Sequence, residues 1–227
     1  RFAGGLALEP PQRYGRWVSM SLAEHKQQLY TQEFSRAWGG LDSLGLLEER
    51  WRASDAATAV ERLVDADVGM YLPDDLLVKM DIASMANSLE VRSPLLDHHV
   101  MEFAASLPVS LKLRRGTPKY LLRRLMKPHL PSEILTRRKM GFGAPIDHWL
   151  RGDLRELTHD LLLGRTSTDR GYFNPATVRR YLEEHASGRA QHHMRIWGLL
   201  VLELWHQTFI DHRPGLDPVG APTGLPT

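Results

Sequence analysis

Trp38-Gly39-Gly40-Leu41-Asp42-Ser43-Leu44-Gly45-Leu46-Leu47 decides the fold class, because its Gly-Gly-x-Asp-Ser core has two opposed readings. In the first it is a phosphate-gripping loop, whose glycines let backbone N–H groups converge on an anion while the next helix adds partial positive charge. Such a loop needs a buried parallel strand in front of it. Residues 28–38, QLYTQEFSRAW, instead scatter single apolar residues at helical spacing among polar and charged ones. The second reading follows: Gly39-Gly40 stop one helix, and Asp42 caps the next, SLGLLEERW. The chain is therefore expected to be mainly α, with little or no sheet.

Helix signals recur on both sides of this stretch. Ser21-Leu-Ala-Glu24 has capping-box spacing and opens a helix expected to reach Trp38. Ser54 is placed to cap a segment carrying Ala57, Val60, Val64 and Val68 on one face and ending near Gly69. Pro73 suits the first turn of a further helix with Leu76, Leu77, Met80 and Ala83 on its apolar side. Asp97 caps a helix that Pro108 closes, and Thr117-Pro118 and Asn174-Pro175 each read as an N-cap followed by a first-turn proline. Gly188 stops the helix after Asn174, and a last helix runs from about Gln191 to Phe209 with an apolar centre expected to be buried on most sides. Trp149, Trp197 and Trp205 read as core. Only VSLKL, Val109 to Leu113, alternates like a strand. The Pro/Gly-rich segment from Pro214 reads as a disordered tail.

The 227 residues carry 42% hydrophobic residues, enough for a real core, which excludes a disordered chain. Lys and Arg total 29 against 27 Asp and Glu, so the charge balance does not by itself imply a nucleic-acid partner. The absence of cysteine removes disulfides, Cys-ligated zinc and a Cys nucleophile from this chain, and agrees with a cytoplasmic setting. No apolar stretch approaches the roughly 20 residues that span a bilayer. WGLLVLELW, the longest, is interrupted by Glu203.

From Tyr71 to Leu150 three blocks carry a family resemblance: YLPDDLLVKMDIASMANSLEVRSPLLDHHVMEFAASLP, LKLRRGTPKYLLRR and LPSEILTRRKMGFGAPIDHWLRGDLRE. They resemble the synthetase domain of the glutamine-hydrolysing asparagine synthetase family. A weaker match continues from Gly171 to Trp205, while residues 6–70 match only in helical character. The resemblance implies that residues 1–210 are the helical C-terminal part of an α/β ATP-pyrophosphatase synthetase domain, with 211–227 as the tail. It implies a parent ligase that adenylates the aspartate side chain with ATP and Mg2+ and lets glutamine-derived ammonia displace AMP. The glutaminase domain and the nucleotide-binding half, which hold most ATP and Mg2+ contacts, would lie outside this chain. Alone it is expected to be inactive. In the family the Ser-Gly-Gly-x-Asp-Ser loop follows the first strand of the nucleotide fold; here Trp38 takes the Ser position, and only about thirty residues separate Ser43 from Tyr71. That favours the helix-stop reading again.

The candidate site rests on four residues. The family's Arg-x-Lys-x-Gly pattern places a phosphate-contacting lysine at Lys139, where a fixed ammonium stabilises charge on the α-phosphate and departing pyrophosphate. Gly141 in that pattern lets backbone approach closely. Without the resemblance, Arg137, Arg138 and Lys139 read as a solvated basic turn. Glu90 is placed to position or deprotonate the incoming ammonium, and Arg92 to fork onto a carboxylate or phosphate oxygen; an internal Glu90–Arg92 pair is the competing reading. Asp81 and Ser84 favour capping or packing. The basic series Lys112, Arg114, Arg115, Lys119, Arg123, Arg124 lacks interleaved aromatics, so nucleic acid is not expected. Adjacent histidines in DHHV and QHHM diverge by about 100° on a helix, so no metal site is expected. Two alternatives stay open: a related amide-forming synthetase acting on another carboxylic acid, and a helical interaction or nucleic-acid module without catalysis. No membrane partner is expected, and a homodimer is left open.

Overall fold

The Gln32–Trp38 helix ends at the glycine pair, as expected. Thr31 caps it by accepting from Phe34 N–H at 3.1 Å, and Gly39 and Gly40 take φ of 68° and 73°, left-handed values that favour glycine. Ser43–Ala53 is the next helix. The computed structural model describes residues 5, 7–40, 42–138, 141 and 143–211. Among them the only sheet is a two-stranded hairpin, Leu113–Arg114 against Thr117–Pro118, together with an isolated bridge between Tyr30 and Phe173. The fold is mainly helical, and the tail from residue 212 lies outside the described residues.

Two compact units divide the chain: Arg1–Trp17 with Ser43–Gly141, and Val18–Asp42 with Phe142–Thr227. In the first unit the expected helix end at Gly69 and restart at Pro73 do not occur. Thr58 and Glu61 form the capping box, Ala59–Ala66 is α-helical, Asp67–Leu77 widens to π geometry with Pro73 inside it, and Val78–Met85 returns to α. Gly69 serves close approach instead of termination, since a Cβ built there would sit 2.7 Å from Arg50 Nε, whose guanidinium bonds Asp65 at 2.9 Å. Ser54 is buried and accepts from Ala56 N–H at 3.4 Å, so it shapes the loop before the helix. Gly15 packs equally closely on Leu44 and Leu47. Tyr14 bonds Asp67, and burial first, then that bond, pushes its phenol pKa up.

The VSLKL strand is also corrected. Val109–Lys112 is a short helix, and only Leu113 enters the hairpin. Thr117-Pro118 forms the second strand instead of a cap, and Lys119 at φ 54° precedes the Tyr120–Met126 helix. A proline at a strand end removes no ladder donor from the centre of a sheet, so the two-residue pairing tolerates it. Asp97 does cap His98–Ser106, accepting from His99 N–H at 3.0 Å.

In the second unit the box at Ser21 slips by one residue: Leu22 N–H donates to His25 Nδ1 at 3.0 Å, and the helix is Ala23–Leu29. It stops there because the next backbone groups pair elsewhere. Thr31 N–H donates to Tyr172 O at 3.0 Å, and Asn174 N–H donates to Leu29 O at 2.7 Å. Asn174 then caps Pro175–Ala186 through Ala176 N–H, and Gly188 at φ 74° follows its end. Leu29, Leu150, Leu162, Val178, Tyr181, Leu182, Ile196, Leu199 and Leu200 build the core. The His193–Trp205 helix buries only Ile196, Leu199, Leu200 and Glu203; Trp197 packs against the core, but Trp205 is 46% exposed. Its apolar sequence therefore overstated its burial.

Candidate functional site

Glu90 and Arg92 lie in the first unit, just after the Val78–Met85 helix. Asn87 and Leu89 both donate their N–H to Ser84 O, at 2.9 and 3.0 Å, and Ser88 at φ 55° turns the chain out of the helix. Residues 89–93 form neither helix nor strand, and Pro94 biases the residue before it to β geometry; Ser93 takes φ −103°, ψ 110°. Arg92 Nε donates to Glu90 Oε1 at 2.6 Å. Both side chains face solvent, with relative exposures of 86% for Arg92 and 69% for Glu90. The guanidinium spends only its Nε–H on the pair, and its two terminal nitrogens have no partner among the described residues. That arrangement leaves a planar donor fork open to an oxyanion.

Gly141 is exposed, and a Cβ built on it meets nothing within 4 Å. Lys139 lies outside the described residues. Upstream of it, Ser132–Thr136 is a short helix tied down by Arg123, whose guanidinium donates to Leu135 O, and by Arg137 N–H donating to Glu133 O at 2.8 Å. The structure thus joins Glu90 to Arg92 and leaves Gly141 open. Ser84 Oγ–H donates to Asp81 O at 3.1 Å and is buried, which makes this pair part of the helix end.

Polar groups that the sequence reading missed concentrate in the second unit. Arg170 donates to Glu203 at 2.8 and 3.1 Å and to Asp211 at 2.5 and 3.1 Å, and Gln207 donates to Glu203 at 2.7 Å. These bonds to Asp211 and Glu203 push the Arg170 pKa further up. A charge inside the apolar run WGLLVLELW was the visible sign of this network, since a buried carboxylate requires a partner. His192 Nε2 donates to Glu184 at 2.7 Å, which lowers the Glu184 pKa, and its ring stacks on Tyr181 at 4.5 Å. Among the described residues no group of three or more His, Cys, Asp or Glu could hold a metal ion, and no helix is long and apolar enough to cross a membrane.

Residues 5–207 match a family model described as asparagine synthase. The chain belongs to the asparagine synthase family. A putative glutamine-hydrolysing asparagine synthetase from Mycobacterium tuberculosis is 42% identical over 155 residues, covering 67% of this chain and 23% of that protein. Glutamine-hydrolysing asparagine synthetase 1 of Bacillus subtilis is 34% identical over 160 residues, covering 70% and 25%. The protein named amidase chyE of Penicillium rubens is 32% identical over 110 residues, 46% of this chain and 16% of its own. The chain spans about a quarter of the length of these asparagine synthetases. No solved structure matches it. Within the asparagine synthase family match fall all four candidate residues, Glu90, Arg92, Lys139 and Gly141.

Proposed function

We infer that this chain is a piece of an ATP-dependent, cytoplasmic asparagine synthetase, in which the aspartate side chain is adenylated and glutamine-derived ammonia forms the amide. The observation that carries this reading is the family match over residues 5–207 together with the synthetase names of the relatives. In the proposed chemistry the aspartate carboxylate attacks the α-phosphorus and pyrophosphate leaves. Ammonia then adds to the acyl carbon, and AMP departs. Lys139 holds charge on the phosphates, Arg92 presents its free fork to an oxyanion, and Glu90 orients the ammonium and takes a proton. Gly141 leaves open space for close approach of substrate. The Mg2+ that such a reaction uses would be held by phosphate oxygens and mainly by residues of the nucleotide-binding half. The second reading, a related amide-forming synthetase acting on another carboxylic acid, is not favoured by these relatives, whose names point to asparagine.

Aspartate-dependent exchange between ATP and pyrophosphate in the complete gene product tests the proposal. Exchange should require aspartate, and Lys139→Ala should reduce it on the order of a hundredfold by removing one electrostatic donor. Exchange driven by another acid but not aspartate would establish the second reading. An unchanged rate in the Ala variant would remove Lys139 from the site.

A further inference from the structure

Six rings of the second unit touch in series. Phe34 and Trp38 stand four residues apart on the Gln32–Trp38 helix with centroids 6.1 Å apart, and Phe34 meets Tyr172 at 5.0 Å. Tyr172 meets His206 at 5.5 Å, His206 meets Trp205 at 5.1 Å, and Trp205 meets Phe209, again four residues on, at 6.2 Å. The strip is not core. Trp38, Trp205 and Phe209 each keep 40% or more of their surface in solvent, and none of them packs on the buried cluster of this unit. Large rings aligned at a surface mark a place where another segment packs.

Tyr172 also lines a cavity of about 660 Å³, together with Arg165, Thr166, Asp169, Arg170 and Asp211. Arg170, bonded to both Glu203 and Asp211, fixes that wall to the last helix. Asp211 ends the described residues, so the segment from 212 to 227 starts at the cavity wall, beside the strip. Its sequence, HRPGLDPVGAPTGLPT, places Pro214, Pro218, Pro222 and Pro226 at every fourth position, with Leu216, Val219 and Leu225 between them. A segment so rich in proline and glycine builds no core of its own. It is suited to dock instead, because proline fixes φ in advance and Pro-rich chains seat their rings in aromatic-lined grooves. Prolines four apart are about 12 Å apart in a polyproline II helix. Alternate rings of a strip whose neighbours are 5.0–6.2 Å apart lie at a matching interval.

We propose that the strip of Trp38, Phe34, Tyr172, His206, Trp205 and Phe209 is the docking surface for the chain's own segment 212–227, which straps across it with its prolines against the exposed rings. At about 3.1 Å per residue the segment reaches about 50 Å, so length does not limit it. Its attachment at Asp211 holds it at an effective concentration on the order of millimolar, so individually weak ring contacts suffice. That tether favours the chain's own segment over the same segment of a second copy. The strap uses none of the proposed synthetase residues.

The absence of cysteine makes the test specific, because Ala221→Cys gives the full chain a single thiol for a nitroxide label. In the nitrogen-15-labelled protein the nitroxide should broaden the indole N–H signals of Trp38 and Trp205. Replacing all four prolines, Pro214→Ser, Pro218→Ser, Pro222→Ser and Pro226→Ser, should remove most of that broadening while circular dichroism stays unchanged. The heteronuclear NOE of the Gly215, Gly220 and Gly224 amides should approach helix values, and drop in the proline variant and in Trp205→Ala. No step of this test depends on asparagine formation, so its result stands apart from the synthetase reading. Absence of broadening, or equal broadening with and without the prolines, would overturn the proposal. So would broadening seen when nitroxide-bearing chains without nitrogen-15 are mixed with unlabelled-thiol nitrogen-15 chains but not within one chain, which would assign the strip to a second copy.

Discussion

Glu90 and Arg92 pair across one intervening residue in the segment before Pro94, and both remain in water. An exposed pair of this kind contributes about 0–1 kcal/mol to folding. Arg92→Ala should therefore leave the urea unfolding midpoint of the chain nearly unchanged, within about 0.5 kcal/mol, while lowering asparagine formation by the complete enzyme at least about tenfold. A large loss of stability with normal turnover would make the pair scaffold. This adjacency was legible in SLEVRSP, where the two opposite charges lie two residues apart. The Arg170–Glu203 bond was not, because its partners lie 33 residues apart and no local period links them. Gly69 was misread for a related reason. The sequence gives a glycine, but only the position of Arg50 tells whether it ends a helix or clears space inside one.

Caps were readable only in part: Ser21, Ser54 and Thr117, each expected to cap a helix, instead precede the cap, shape a loop and enter the hairpin. Asp97 and Asn174 start their helices as the side-chain chemistry demands. Residues 21–38 split at Tyr30 because residues 171–174 offer backbone partners, and VSLKL closes into a helical turn in which Leu113 N–H donates to Val109 O. Two consequences belong to the helices of the second unit. Arg170 ties Asp211 to Glu203, whose side chain is 4% exposed, so Arg170→Met should cost about 3–5 kcal/mol in chemical denaturation by stranding buried charge. His185, 1% exposed on Pro175–Ala186, has its pKa held below the ordinary 6.5, by burial first and then by Arg151, against an opposing pull from Asp147. The unfolded chain then binds the proton more readily than the folded one. Stability should be full above about pH 6.5 and fall as the pH drops through the range between the two pKa values. Thermal melts of wild type against His185→Gln check this, with the variant expected to lose less stability on acidification; parallel curves would discount the histidine.

At the scale of the whole molecule, fold class and family were readable from three contiguous blocks, while the catalytic assembly was not, since the chain covers about a quarter of its asparagine synthetase relatives. In the unit containing Glu90 and Arg92, apolar side chains such as Ile82, Met85, Leu89 and Phe103 are more than half exposed. The apolar side expected at Leu76, Leu77, Met80 and Ala83 is open too, with Leu77 40% and Met80 49% exposed. The reaction itself is therefore best followed in the complete protein. Adenylation transfers one carboxylate oxygen from aspartate to the α-phosphate, and that oxygen leaves with AMP when ammonia attacks. The decisive measurement is turnover with aspartate labelled with heavy oxygen in its side-chain carboxylate, followed by mass analysis of the products. The account predicts AMP bearing a single heavy oxygen for each asparagine formed; unlabelled AMP, or label recovered in inorganic phosphate with ADP, would contradict it.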